Sequence, residues 1–131
     1  MKALGFFVAV PLLGAATFNA SVPRADGGCQ VRLEARVAGN MLTLVGRCLN
    51  VGPQPLALRY ELLTEKKGPA GTSRNAQSGN VTLAPQQTTT LSQTTINVSP
   101  ADFYRVRLRV LDQQGSVVAA DSLVHQPVSR P

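Results

Sequence analysis

The chain has 131 residues, with 13 Lys and Arg against 7 Asp and Glu, a formal net charge of +6. That length gives one domain with a core of its own, and 44% hydrophobic against 15% charged residues excludes a disordered chain. Frequent Thr, Val, Gln, Gly and Pro, without tryptophan or long Ala/Glu/Lys/Leu runs, argues for short strands over helices.

Residues 1–20 read as a secretory signal peptide. Met1-Lys2 is a positive start, Ala3–Ala16 an apolar run, and Ala15, Ala16, Ala20 and Ser21 the small residues of a cleavage region. The apolar run is short for a membrane span and is broken by Pro11, so no stable membrane insertion is expected. Cleavage after Ala16 and cleavage after Ala20 both remain open. Cutting after Ala20 removes Lys2 and leaves 12 basic against 7 acidic residues, a net of +5. Asp26-Gly27-Gly28 lacks the aliphatic residue that a lipoprotein site needs before Cys29. Residues 21–28 read as a flexible lead-in.

A first period-two alternation runs from Cys29 to Val37 and a second from Met41 to Cys48, with Ala38-Gly39-Asn40 as the turn between them. Pairing residue 37 with 40 sets Leu33 against Leu44 and Cys29 against Cys48, with both cysteines inward. In an exported chain that register permits a Cys29–Cys48 disulfide. Two buried thiols, or one thiol paired with another molecule, are the alternatives.

Asn50–Pro55 is a turn by its Gly and Pro content. Leu56–Leu63 alternates again, with Leu56, Leu58, Tyr60 and Leu62 inward and Arg59 and Glu61 outward. Thr64–Gly71 reads as an exposed loop. Thr72–Leu83 is a polar strand suited to a sheet edge. Thr88–Val98 is threonine-rich, and the changed parity of Leu91, Ile96 and Val98 predicts a bulge.

Phe103–Leu111 is the strand that organises the chain. Tyr104, Val106, Leu108 and Val110 share one face; Phe103, Arg105, Arg107, Arg109 and Leu111 share the other. A helix would mix the arginines with the valines. Asp112–Gly115 is a hairpin loop with Gly at a left-handed position. Ser116–Val124 is the last strand, and residues from His125 onward read as a tail.

Seven short strands at regular spacing predict an all-β fold, an immunoglobulin-like (fibronectin-III-like) seven-stranded antiparallel β-sandwich. The domain spans 29–125 and the tail 126–131. Asp102-x-Tyr104 has the form of a tyrosine corner, which predicts a buried Tyr104 whose hydroxyl bonds the backbone just upstream. Neighbouring third, sixth and seventh strands would place Arg59 beside Arg105, Arg107 and Arg109 on one outer face. A solvated face, partly neutralised by Glu61 and Asp121, is the plain alternative.

No catalytic or metal constellation is visible. His125 is the only histidine, which is too few for copper or zinc ligation, and no Gly-x-Ser-x-Gly turn exists for a triad. Without Cys-x-x-Cys there is no motif that lowers a thiol pKa. The expectation is a non-enzyme without cofactor or metal. Nucleic acid is not expected either, since zinc-finger spacing, a recognition-helix pattern and stacking aromatics beside the arginines are all missing.

From Tyr60 onward the succession Tyr60-Glu61-Leu62, Gly71–Gly79, Leu83-Ala84-Pro85, Leu91-Ser92 and Tyr104-x-Val106-x-Leu108-x-Val110 resembles the CsgC/CsgH family, its CsgH branch in particular. The resemblance covers mainly residues 56–111, and Ser73-x-x-x-Gln77-Ser78-Gly79 is its best piece. It implies a small periplasmic immunoglobulin-like protein, monomeric, that keeps an amyloidogenic curli-type subunit from assembling early. It also points to Arg59, Arg105, Arg107 and Arg109 as client-binding residues, with edge pairing at Thr72–Leu83 as the other route. The Cys-x-Cys of the CsgC branch is missing, since Gln30-Val31 follow Cys29, so no redox role carries over. An exported module binding a surface ligand or sugar, and a fibre subunit, are the competing readings. The loops lack the aromatics of the first, and the chain lacks the internal repeats of the second.

Overall fold

The computed structural model describes residues 28–127; the signal peptide expected over 1–20, nearly all of the lead-in and the end of the tail lie outside the described residues. Seven strands follow in order: β1 Cys29–Ala38, β2 Met41–Asn50, β3 Leu56–Gly68, β4 Gly71–Leu83, β5 Thr88–Asn97, β6 Phe103–Leu111 and β7 Val117–His125. They form two antiparallel sheets, ordered β1-β2-β5 and β4-β3-β6-β7. The third, sixth and seventh strands are neighbours, as the sequence implied.

Alternation decides which face each strand buries. Leu42 and Leu44 from β2, Leu58 and Leu62 from β3, and Val106, Leu108 and Val110 from β6 meet in one core. Each such side chain contributes about 1.5–3 kcal/mol on burial. Gly115 has φ 86 and closes the β6–β7 turn, the left-handed role expected of it.

The β1–β2 register differs from expectation by one pair. Ala38 pairs with Met41 and Val31 with Cys48, so Cys29 faces Asn50 and the two cysteines stand on a diagonal. The cause lies in the turn. Gly39 takes φ 61, and a two-residue hairpin with a left-handed first position wants glycine there. The turn therefore centres on Gly39-Asn40. A shift of two preserves parity, and both cysteines remain buried in the core. They are free thiols in mutual hydrogen-bond contact.

Four further expectations change. Thr64–Gly68 is strand, because β3 and β4 form a long hairpin of thirteen-residue arms, with Thr64 buried. His125 ends β7 instead of opening a tail: it is buried, stacks on Tyr104 at 4.6 Å between centroids, and its Nδ1 lies 2.9 Å from the Asp102 carbonyl. Tyr104 is buried as expected, but its hydroxyl makes no hydrogen bond to the backbone upstream among the described residues; the ring is held by stacking on His125. Finally, Asp121 faces inward, on the parity of Ala119 and Leu123, and leaves the outer face alone. The bulge in β5 is present: Gly46 pairs with Ser92 and Arg47 with Thr90, so Leu91 is the extra residue.

Polar side chains close both open sides between the sheets. On one, Asp121 Oδ2 accepts the Leu33 N–H at 2.8 Å, joining β7 to β1. On the other, Gln77 of β4 donates to Thr94 Oγ1 at 2.6 Å and accepts from Ser92 Oγ at 2.9 Å, joining β4 to β5. Asn50, fully buried, holds the adjoining loops: its side chain donates to the carbonyls of Gln54 and Leu83 and accepts from the N–H of Gly52.

Candidate functional site

The outer face of the four-stranded sheet is laid out by cross-strand pairing. One row reads Arg74, Glu65, Arg105, Val124; the next Ala76, Leu63, Arg107, Ser122; the third Ser78, Glu61, Arg109, Ala120. Arg59 pairs with Asn80 on one side and Leu111 on the other, at the end of the face. Alternate residues of a strand project about 7 Å apart, so the three β6 arginines form a line.

The four predicted arginines share the face but not one state. Arg105 donates to Glu65 at 2.8 Å, and Arg74 approaches the other Glu65 oxygen at 3.4 Å. Arg109 donates to Glu61. Arg107 stands opposite Leu63, which offers no charge, and among the described residues neither Arg107 nor Arg59 makes an ion pair. The rows explain the division: β3 alternates Glu65, Leu63, Glu61 against Arg105, Arg107, Arg109, so the middle arginine loses its carboxylate.

The hydrogen bond from Arg105, ahead of the opposing cost of partial desolvation, holds the Glu65 carboxyl below the usual carboxylate range, with Arg74 and Arg107 adding to the effect. The Arg105 Nε is buried without a partner. Between Arg107 and the β3–β4 hairpin lies an open groove of about 290 Å³, with Leu63 and Ala76 on its floor row and Glu65 and Arg74 beside them.

Glu65 was missed by sequence reasoning because Thr64–Gly71 looked like a loop, and Arg74, on the strand read at Thr72–Leu83, because its β3 partner was hidden in that loop. Thr64, Lys66 and Gly68 continue the inward parity of Leu62, but weakly, since none is apolar. The Ser73–Gly79 run, which carries the family resemblance, has structural work of its own. Gln77 clasps β5. Gly79 lies opposite Tyr60, where a Cβ would fall 2.9 Å from the ring, so the tyrosine needs a glycine beneath it.

The other candidates do not join this face. Cys29 and Cys48 lie in the core, where the Cys48 thiol donates to Cys29; that bond lowers the Cys29 pKa and raises that of Cys48. Among the described residues no group of three or more His, Cys, Asp or Glu side chains could hold a metal ion, and no helix is long and apolar enough to cross a membrane.

Comparison with known proteins agrees with the resemblance seen in the sequence. The family model described as CsgH protein matches residues 29–122. The solution structure of R. palustris CsgH is 32% identical, with a TM-score of 0.55, covering 71% of this chain and 89% of that one. The E. coli curli protein CsgC is 22% identical, with a TM-score of 0.60, covering 71% of this chain and 96% of that one, a likeness of fold alone. No curated protein matches. With its model spanning nearly all of β1 to β7, the chain belongs to the CsgH family.

Proposed function

We propose that the mature protein is a periplasmic, chaperone-like inhibitor of amyloid assembly that binds a curli-type subunit through the outer face of its four-stranded sheet. A role connected with curli is supported by family membership and by the fold shared with a curli protein. The three-on-four strand order supports a fibronectin-III-like variant of the immunoglobulin fold. Export under the signal peptide, a Cys29–Cys48 disulfide, a monomeric state and the lack of enzymatic activity belong to the same proposal.

The observation that carries it is the unneutralised Arg107 at the centre of a basic face, with Arg59 at its end. An unpaired guanidinium beside the open groove can meet a client carboxylate without first breaking an internal pair. Arg105 and Arg109 hold Glu65 and Glu61 and contribute their charge at longer range, which speeds encounter with an acidic client.

The test is a dye-monitored fibril assay with the genomically adjacent amyloid subunit. Wild type should lengthen the lag. The triple variant R105Q/R107Q/R109Q, folded by circular dichroism, should lengthen it less, because Tyr104, Val106, Leu108 and Val110 stay in place. Added salt should weaken the wild-type effect, since exposed charges are screened beyond about 10 Å at 0.1 M. A folded triple variant that inhibits fully at low salt would sink the basic face. Wild type that never delays fibrils would sink the function.

A further inference from the structure

We propose that β4 receives an extended, acidic polypeptide segment along residues 71–76, as a fifth strand of the four-stranded sheet. This rests on the client reading above and adds a separate contact to it. Four strands lie at sheet edges, and three are protected. The edge of β1 has its Leu33 N–H taken by Asp121, and Arg32, Glu34 and Arg36 alternate along its outer side. The Leu91 bulge interrupts β5. The pairing of β7 slips beside Leu111, and its Asp121 reaches over to β1. Bulges and charges of this kind are how proteins keep edges from pairing.

β4 has no bulge and a single charge, Arg74. It pairs with β3 over thirteen residues without a register shift, and Gly71–Leu83 contains no proline and no lysine. Gln77 ties its second half to β5, while residues 71–76 are all exposed. An incoming strand there would find a straight ladder of backbone groups, the usual basis for adding a strand. Charge selects the occupant. The one charged residue of β4 is Arg74, and the groove shared by Arg74 and Arg107 opens beside it. Acidic side chains on the added strand would meet Arg74 directly, with Arg107 adding positive charge at longer range from β6, whereas a second copy of this chain would bring Arg74 against another basic edge.

The experiment is hydrogen–deuterium exchange on the mature protein with a synthetic eight-residue peptide alternating Val and Asp, and with the same peptide methylated at its backbone amides. The unmodified peptide should slow exchange across residues 71–76 by about tenfold, and the methylated peptide, equal in charge, should not. Equal protection by both peptides, or protection confined to β6, would overturn the edge. So would protection that grows with protein concentration in the absence of peptide, which would identify self-pairing. A protein that delays fibrils while residues 71–76 stay unprotected keeps the proposed function and loses this inference. A protein that delays no fibrils loses the function whatever the peptide does.

Discussion

Asp121 on β7 accepts the backbone N–H of Leu33 on β1 at 2.8 Å, across the side where the two sheets are not bonded to one another. A carboxylate here replaces the ladder partner that the edge of β1 lacks. Its position is buried, and burial raises its pKa despite the N–H groups of Leu33 and Ser122 and the charge of Arg32. Asp121→Ala should therefore destabilise by about 1–3 kcal/mol, the cost of an unmet buried donor, whereas Asp121→Asn keeps an acceptor and should hold most of the stability. The pH dependence follows from the sign. A raised folded pKa means the native state holds the proton longer, so this contribution is fully present below the ordinary Asp value of about 3.9 and is lost as pH rises through the raised value. Urea denaturation of wild type and Asp121→Asn across pH 3–7 should show that slope only in wild type. Glu65 has the opposite sign: its lowered pKa gives stability present above the ordinary Glu range and lost as pH falls.

Gly79→Ala should destabilise by about 1–3 kcal/mol, since the added Cβ would sit 2.9 Å from the Tyr60 ring. The double variant with Tyr60→Leu should recover part of the loss. Equal denaturation midpoints for wild type and Gly79→Ala would show that the ring moves aside freely.

Tyr104→Phe should change stability by less than about 0.5 kcal/mol, because the hydroxyl holds no upstream backbone group and the ring still stacks on His125. His125→Ala should cost more, since it removes both the stack and the bond at the Asp102 carbonyl. Burial, with the Asp102 charge second, pushes Tyr104 up to about 12. Absorbance titration should accordingly find a tyrosine that ionises at about 12 and is lost in Tyr104→Phe, with stability falling as pH rises past the ordinary tyrosine value of about 10.

Cys29 and Cys48 should be recovered as a disulfide from exported protein. Both are buried in the core on neighbouring strands and stand on a diagonal of the β1–β2 pairing, near the limit of disulfide reach. Mass spectrometry under non-reducing conditions should find the mass lower by two hydrogen atoms, removed by the oxidising compartment, and no alkylation. Two alkylated thiols in protein recovered from the exported fraction would refute the bridge.

Among single arginine changes, Arg107→Gln should weaken inhibition of fibrils more than Arg109→Gln, because Arg109 is already occupied by Glu61. Glu61→Gln frees Arg109 and should strengthen inhibition at low salt. Lag times for the three variants decide this; equal losses from Arg107→Gln and Arg109→Gln would mean the face acts by net charge alone.

What the sequence determined was local. A side-chain period of two assigns Val106, Leu108 and Val110 to the core and Arg105, Arg107 and Arg109 to the surface before any neighbour is known. The seven strands, the polar edge at β4 and the bulge in β5 were legible for the same reason. The tertiary structure decided everything that depends on which residue stands opposite. The glycine requirement of one turn set the β1–β2 register and moved Cys48 from opposite Cys29 to a diagonal. Pairing of β3 with β6 placed Glu65 and Glu61 against Arg105 and Arg109 and left Leu63 against Arg107, so an even line of three arginines became one free charge between two bound ones. Asp121 and Gln77 look like ordinary polar strand residues in the chain. They became the clasps of the fold only when β1 and β5 arrived beside them, because such partners come from strands far away in sequence and no local pattern encodes them.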